Sequence, residues 1–241
     1  MFIFNPPVIA HRGLSVAAPE NTLAAFRQAK TAGINWIEFD VMLAACGEVV
    51  VIHDATLERT TNGKGFVHDF SYEELKKLDA GSWFNSHFSH ERIPTLEQVL
   101  ELANELTLSI NIEIKPFVGQ EEETVKRVLH LLKNKNIKNP FFVSSFSLDV
   151  LRYVREYSKE ILMGYLMDGW NAGWKMVCDE LDCISVDIDH EILTREKAEE
   201  IKKNNFILLA YTVNDAARAK ELFSWGVDAV FSDNPKKIIQ K

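Results

Sequence analysis

Trp36-Ile37-Glu38-Phe39-Asp40-Val41-Met42 alternates residue by residue, and a short way on Val49-Val50-Val51-Ile52 ends in His53. Successive side chains of an extended strand point to opposite faces, so Glu38 and Asp40 share a face with Trp36 and Met42. Only the stretch around Cys46-Gly47-Glu48 separates the two runs. A parallel crossover needs a dozen or more residues, so the second run must return antiparallel, as the arm of a hairpin. Folding about residues 45–47 sets Asp40 opposite Ile52 or His53 and brings that histidine to the carboxylates.

Working outward, short apolar bursts alternate with longer amphipathic stretches, the pattern of βα units and a parallel sheet. Val8–Ala10 is the first burst and ends in His11-Arg12-Gly13. A helix follows from Leu23, capped by Asn21 or Thr22 and stopped by Gly33. Leu108 to Ile114 is a strand with Asn111, Glu113 and Lys115 on one side, and Pro116 ends it. Further strands fall at Phe141–Ser144, Ile161–Leu166, Cys183–Ile188, Ile207–Val213 and Ala229–Ser232. With the antiparallel arm set aside, eight parallel strands remain, each separated by helical material. Eight in this length predicts an α/β fold, a closed (β/α)8 TIM barrel of about the usual 250 residues. An open doubly wound sheet would carry uniformly apolar strands, and here several bear inward charges.

Residues 54–94 break the rhythm and read as a small inserted segment after the His53 strand, capping the strand ends within a single barrel domain spanning 1–241. A capping box at Ser71 and Glu74 starts a helix there. Gly63-Lys64-Gly65 is not a phosphate-binding P-loop, because it follows no strand and lacks the upstream glycine.

Composition excludes several classes. The 241 residues are 46% hydrophobic, enough for a large core, and the net charge of −8 argues against non-specific nucleic-acid binding. No apolar run approaches the ~20 residues of a membrane span, so no stable membrane insertion is expected. Met1 to Pro7 lacks the features of a signal peptide. Cys46, Cys178 and Cys183 lack metal-ligand spacing and read as reduced thiols of a cytoplasmic protein.

Active sites of such barrels lie at the carboxyl ends of the strands, where His11, Arg12, Glu38, Asp40, His53, Glu113 and Lys115 all fall. Clustered carboxylates repel unless a cation joins them, so Glu38, Asp40 and Glu113 point to a hard divalent metal, Mg2+ or Ca2+, rather than zinc. Arg12 and Lys115 offer charge for phosphate oxygens, and a plainer role for both is to neutralise the carboxylates. Two histidines complete what phosphodiester cleavage needs, one to take a proton and one to protonate the leaving alcohol.

An ordered series of motifs runs from residue 8 to 235: Ala10-His11-Arg12-Gly13, Pro19-Glu20-Asn21-Thr22, Glu38-Phe39-Asp40-Val41, His53-Asp54, Arg59-Thr60-Thr61-Asn62-Gly63-Lys64-Gly65, Leu78-Asp79-Ala80-Gly81, Ile93-Pro94-Thr95-Leu96, Asn111-Ile112-Glu113-Ile114-Lys115, Tyr211-Thr212-Val213-Asn214 and Ser232-Asp233-Asn234-Pro235. With these the chain resembles the glycerophosphodiester phosphodiesterases, of the bacterial cytosolic type. The resemblance implies metal-dependent hydrolysis of a small-molecule glycerophosphodiester to sn-glycerol 3-phosphate and an alcohol, within glycerol and lipid metabolism. It implies His11 and His53 as the acid/base pair, a divalent metal on Glu38, Asp40 and Glu113, and Arg12 and Lys115 on the phosphate. In the family a glycerol hydroxyl is thought to attack phosphorus, and water opens the cyclic phosphate. Tyr211 stands where the family usually has Trp, so the wall against glycerol differs. The hairpin turn Ala44-Ala45-Cys46-Gly47 also departs from the common polar turn. Alternatives are a lysophospholipase D-like or phosphoinositide-type phosphodiesterase on the same barrel, or a non-catalytic barrel that binds glycerophosphodiesters.

Other residues carry plainer expectations. Asp54 either orients His53 or serves the loop. His87 and His90 read as surface residues, and His68, His130 and His190 have no evident partner. Trp83, Phe84, Trp170 and Trp174 read as core or lid aromatics, some of them lining an alcohol pocket. Lys236 to Lys241 reads as a solvated tail.

Overall fold

The computed structural model describes residues 3–239. Met1 and Phe2 of the first stretch, and Gln240 and Lys241 of the tail, lie outside the described residues. β1 (Val8–Ala10) leads to α1 (Leu23–Thr31), then to β2 (Trp36–Leu43) and its hairpin partner β3 (Val49–Val51). Residues 54–94 hold one short helix, α2 (Tyr72–Leu75), between two 3-10 turns. From α3 (Leu96–Leu106) onward strand and helix alternate through β4 (Ser109–Ile114), α4 (Glu121–Asn134), β5 (Phe141–Ser145), α5 (Leu148–Tyr157), β6 (Met163–Met167) and α6 (Trp174–Leu181). The chain closes with β7 (Ser185–Asp189), α7 (Arg195–Lys203), β8 (Ile207–Tyr211), α8 (Ala216–Ser224), β9 (Ala229–Ser232) and α9 (Pro235–Ile239).

Eight of the nine strands pair in parallel around a closed ring in which β1 meets both β2 and β9. The ring is the (β/α)8 barrel expected from the strand count, with the inserted segment following the His53 strand. β3 hangs on β2 antiparallel, Val41 facing Val51 and Leu43 facing Val49. Gly47 closes the turn at φ +77°, a conformation glycine adopts at little cost. In this register the Ile52 amide donates to the Asp40 carbonyl at 3.1 Å, so His53 follows directly after Asp40's partner, as the hairpin geometry required. The β2–β4 register sets Asp40 beside Glu113 and Glu38 beside Asn111. Neighbouring strands lie about 4.8 Å apart, so this register alone brings the carboxylates together.

Strand alternation sorts the core into two layers. Ile9, Trp36, Phe142, Leu209 and Phe231 form one apolar cluster, and Ile37, Phe39, Val41, Ile110 and Ile112 join the larger cluster that the helices cover. Helix starts follow local chemistry. Thr22 caps α1 by accepting from the Ala25 amide at 3.3 Å, and Thr95 and Gln98 form a reciprocal capping box on α3. The segment 54–94 has its own apolar cluster, in which Leu57, Val67, Leu75 and Ile93 pack on Met42, Val50 and Ile52 of the hairpin. Among the described residues no helix is long and apolar enough to cross a membrane.

The tail departs from expectation. Residues 235–239 form α9, and Ile238 and Ile239 pack on the main core. Two consecutive apolar residues on a final turn outweigh the flanking lysines.

Of the glycines in the inserted segment, Gly81 leaves the least room for a side chain. A Cβ there would meet the Phe88 carbonyl oxygen at 1.9 Å. Backbone cannot yield as a side-chain tip does, so Gly81→Ala is expected to destabilise the protein by at least the ~1–3 kcal/mol typical of overpacking. A fall in thermal unfolding temperature checks this, and an unchanged one would contradict it.

Candidate active site

The first strand ends in a tight left-handed turn. Arg12 and Gly13 take φ of +55° and +82°, and a Cβ on Gly13 would lie 2.7 Å from Ala25. Only glycine fits there, and the turn aims the Arg12 amide at Glu38 Oε2, 2.9 Å away.

The seven residues singled out at strand ends do converge. His11, Arg12, Glu38, His53, Glu113 and Lys115 border one cavity of about 210 Å³, together with Tyr211, Asn111 and Phe146. Asp40, 1% exposed, joins Glu38 and Glu113 in a cluster whose ligand oxygens lie within 4.8 Å of one another. A larger cleft of about 800 Å³ lies outside the barrel, between α1, α3 and residues 72–94, and borders none of these residues.

The three carboxylates are unequally supported. Asp40 accepts from Asn21 Nδ2 at 2.8 Å, with Lys115 Nζ and Arg12 Nε each 3.6 Å away. Burial would raise its pKa, but Lys115, Arg12 and Asn21 together hold it below the usual carboxylate range. Glu38 is the reverse: burial, then Asp40 and Glu113, push it well above that range. Burial and Asp40 push Glu113 up to about 8. Glu38 Oε1 and Glu113 Oε1 are buried without a hydrogen-bond partner. Two orphaned oxygens on facing glutamates, beside an ionised aspartate, are the hard-oxygen donor set that a divalent cation fits.

Each histidine is held from behind by a carboxylate. His11 Nδ1 lies 2.7 Å from Asp233 Oδ1, and Asp233 is steadied by Ser15 Oγ at 3.1 Å and Asn214 Nδ2 at 2.7 Å. Although burial opposes it, the bond to His11 helps hold Asp233 down to about 2. His53 Nδ1 lies 2.6 Å from Asp54 Oδ1. An Nδ1–H donated to a carboxylate leaves Nε2 as the ring nitrogen for the cavity. Asp54 thus orients His53, although adjacent strand residues point apart, because β3 has ended at Val51 and the chain turns.

A further chain of charges links the inserted segment to the barrel. Arg59 Nε donates to Asp54 Oδ2 at 2.6 Å and Arg59 Nη1 to Glu20 Oε2 at 2.7 Å, while Arg12 Nη1 donates to Glu20 Oε1 at 2.8 Å. Arg59, first of all, holds Asp54 well below the usual carboxylate range. Arg12 Nε keeps no hydrogen-bond partner. Lys115 lies 3.6 Å from Asp40 and 3.9 Å from Glu113. Both cations therefore neutralise carboxylates as well as bordering the cavity. Tyr211 donates its hydroxyl to the Met167 carbonyl at 2.8 Å and meets Phe146 edge-on, which fixes the ring as a wall.

Glu20, Arg59, Asn214 and Asp233 were given no role from the sequence, and Asn21, a candidate helix cap there, instead donates to Asp40 while Thr22 caps α1. Each lies in one of the short motifs quoted above, so position was legible and partner was not. His87 and His90 are exposed, and Trp174 is fully buried in the core.

Comparison with known proteins gives a consistent picture. The family model described as the glycerophosphoryl diester phosphodiesterase family matches residues 11–237. A curated protein of Caldanaerobacter subterraneus subsp. tengcongensis, named glycerophosphodiester phosphodiesterase, is 40% identical over 96% of each chain. A solved Oleispira antarctica phosphodiesterase, in complex with the product sn-glycerol-3-phosphate, is 40% identical with a TM-score of 0.94, over 97% of this chain and 95% of that one. The Thermotoga maritima glycerophosphodiester phosphodiesterase is 29% identical with a TM-score of 0.76, over 97% and 96%.

Proposed function

The chain belongs to the glycerophosphoryl diester phosphodiesterase family and is an enzyme of that class; from there we propose that it hydrolyses glycerophosphodiesters to sn-glycerol 3-phosphate and an alcohol, with His11 and His53 as its proton-transfer pair. The observation that carries the residue roles is the pair of histidines, each tied through Nδ1 to its own carboxylate, on one cavity with the Glu38–Asp40–Glu113 cluster. The product bound to the Oleispira antarctica relative supports glycerol 3-phosphate as the product here.

Arg12 and Lys115 bind the phosphate, Arg12 through the donors that Glu20 leaves free. Tyr211 packs against the glycerol. Burial, with Arg12 and Lys115, lowers the His53 pKa against the pull of Asp40. His53 is therefore the neutral partner, whose Nε2 takes the proton of the attacking glycerol hydroxyl as its oxygen bonds phosphorus. His11 gives the Nε2 proton to the leaving alcohol oxygen as that P–O bond breaks. Water then opens the cyclic phosphate with the two roles reversed. Glu38, Asp40 and Glu113 would hold a divalent cation, Mg2+ or Ca2+, which when bound supplies Lewis-acid stabilisation of charge on the phosphoryl oxygens. Release of glycerol 3-phosphate from glycerophosphocholine or glycerophosphoethanolamine tests the reading. A folded protein inactive with both cations would sink it.

The inserted segment, residues 54–94, serves as a cap that works through Arg59. One guanidinium grips Asp54 behind His53 and Glu20 behind Arg12. Arg59→Ala is expected to lower kcat by about 10- to 100-fold, the scale seen when groups behind a working histidine are removed. Added guanidinium should restore part of the rate. A variant that only melts earlier, with kcat intact, would reduce Arg59 to a structural brace.

A further inference from the structure

Two cavities meet at His11 and Arg12. One is the cavity of about 210 Å³ among the strand ends. The other, of about 660 Å³, opens toward Val16 in the β1–α1 connection, Trp83 and Phe84 in the inserted segment, and Lys237 on α9, none of which borders the first. A glycerophosphodiester is a phosphate with an alcohol on each side. On the reading above, the phosphate sits against Arg12 with His11 beside it, at this junction. Its two arms must then run into different cavities. The inner one, walled by Tyr211 and closed below by the barrel core, takes the glycerol arm.

The geometry points to the outer cleft as the site of the leaving alcohol, selecting that alcohol by apolar surface rather than by charge. This rests on the proposed phosphodiesterase reading and extends it to the half of the substrate that the reading leaves unnamed. The cleft's fixed charges cancel, with Arg12 and Lys237 against Glu20 and Asp233. Three of the four are also spent already, Arg12 on Glu20 and Asp233 on His11. Lys237 and the uncharged polar Ser15, Asn214 and Asn234 remain, together with an apolar wall of Val16, Trp83 and Phe84. Trp83 is 41% exposed and Val16 52%, although large apolar side chains normally bury. Trp83 is nonetheless fixed: its Nε1–H donates to the Ala80 carbonyl at 2.9 Å, and its ring meets Phe84 edge-on at 5.8 Å. Phe84 in turn meets Phe88 edge-on at 5.7 Å. A rigid aromatic wall facing open space gains most from an alcohol that brings methyl groups or a ring to it.

Three glycerophosphodiesters test this, carrying methanol, choline, and 3,3-dimethylbutanol, the uncharged isostere of choline. Wild-type kcat/KM should agree within about threefold for the last two, since that is well under a single favourable charge contact, and both should exceed the methyl diester. Trp83→Ala should lower the dimethylbutyl-to-methyl ratio by about tenfold, the worth of one aromatic contact with its buried area, and Trp83→Phe should keep most of it. A choline diester favoured tenfold or more over its isostere overturns the inference, and that comparison needs only the wild-type protein. So does a ratio untouched by Trp83→Ala. If the wild-type protein releases glycerol 3-phosphate from none of the three, the phosphodiesterase reading itself fails, which is a separate result.

Discussion

His53→Ala is expected to lower kcat for glycerophosphocholine by about 10²- to 10⁴-fold, the range for a positioned acid/base group. The size follows from how completely the ring is committed. Asp54 fixes its Nδ1 side at 2.6 Å, and Arg59 fixes Asp54. Among the described residues the other imidazole bordering the cavity is His11, which Asp233 holds in the same way. His11→Ala should cost a similar factor, and the double variant little more than either, because groups acting in one proton transfer are not additive. The leaving alcohol separates the two roles. A diester with a 4-nitrophenol leaving group needs no proton on departure, so the His11→Ala loss should shrink with it while the His53→Ala loss persists. The pH profile carries a sign. Burial first, then Arg12 and Lys115, favour neutral His53, against Asp40. Its folded pKa lies below the ordinary value near 6.5. The acid limb of kcat/KM should therefore fall at a pH below that of an ordinary imidazole. A folded His53→Ala protein keeping a tenth of wild-type activity would remove His53 from the mechanism.

The barrel was legible because hydrophobic periodicity and connection length are local properties. The stretch from Trp36 to His53 alone separated an antiparallel arm from eight parallel strands, and the Asp40–Ile52 bond matches that reading. The convergence of seven strand-end residues followed from the fold, since a parallel barrel gathers its carboxyl ends. The groups behind them were not legible. Asp233 lies 222 positions from His11 and Arg59 lies 39 from Glu20, and nothing in either local pattern marks its partner. For Asp54 the sequence left two roles open, and the structure selects the one that orients His53. Alternation predicts that neighbours diverge, but the strand stops before His53 and the rule no longer applies. The tail was misread because its lysines outnumber the two isoleucines that dock it.

Glu38→Gln is expected to abolish the response to divalent cation, in both activity and stability. Glu38 and Glu113 each bury an unpartnered oxygen, and burial with facing carboxylates pushes both pKa values up. Without a cation the cluster is a liability, because like charges in a dry site cost several kcal/mol and protons must relieve them. Glutamine has the shape of a protonated glutamate, so in chelator Glu38→Gln should melt at or above the wild-type temperature. Adding Mg2+ or Ca2+ should then stabilise the wild type by the mass-action amount, about 2.7 kcal/mol at a hundredfold excess over Kd, seen as a higher melting temperature, and stabilise the variant far less. Activity should follow the same order: chelation removes it from wild type, cation restores it, and the variant stays low throughout. Thermal scans make the result independent of turnover. A wild-type protein whose melting temperature ignores both cations would deny the cluster a metal, even if the enzyme were active. A variant less stable than wild type in chelator would instead make Glu38 a structural acceptor for the Arg12 amide, the one bond its Oε2 is seen to make. The two outcomes differ in sign, because a buried acid kept for function destabilises the fold that holds it.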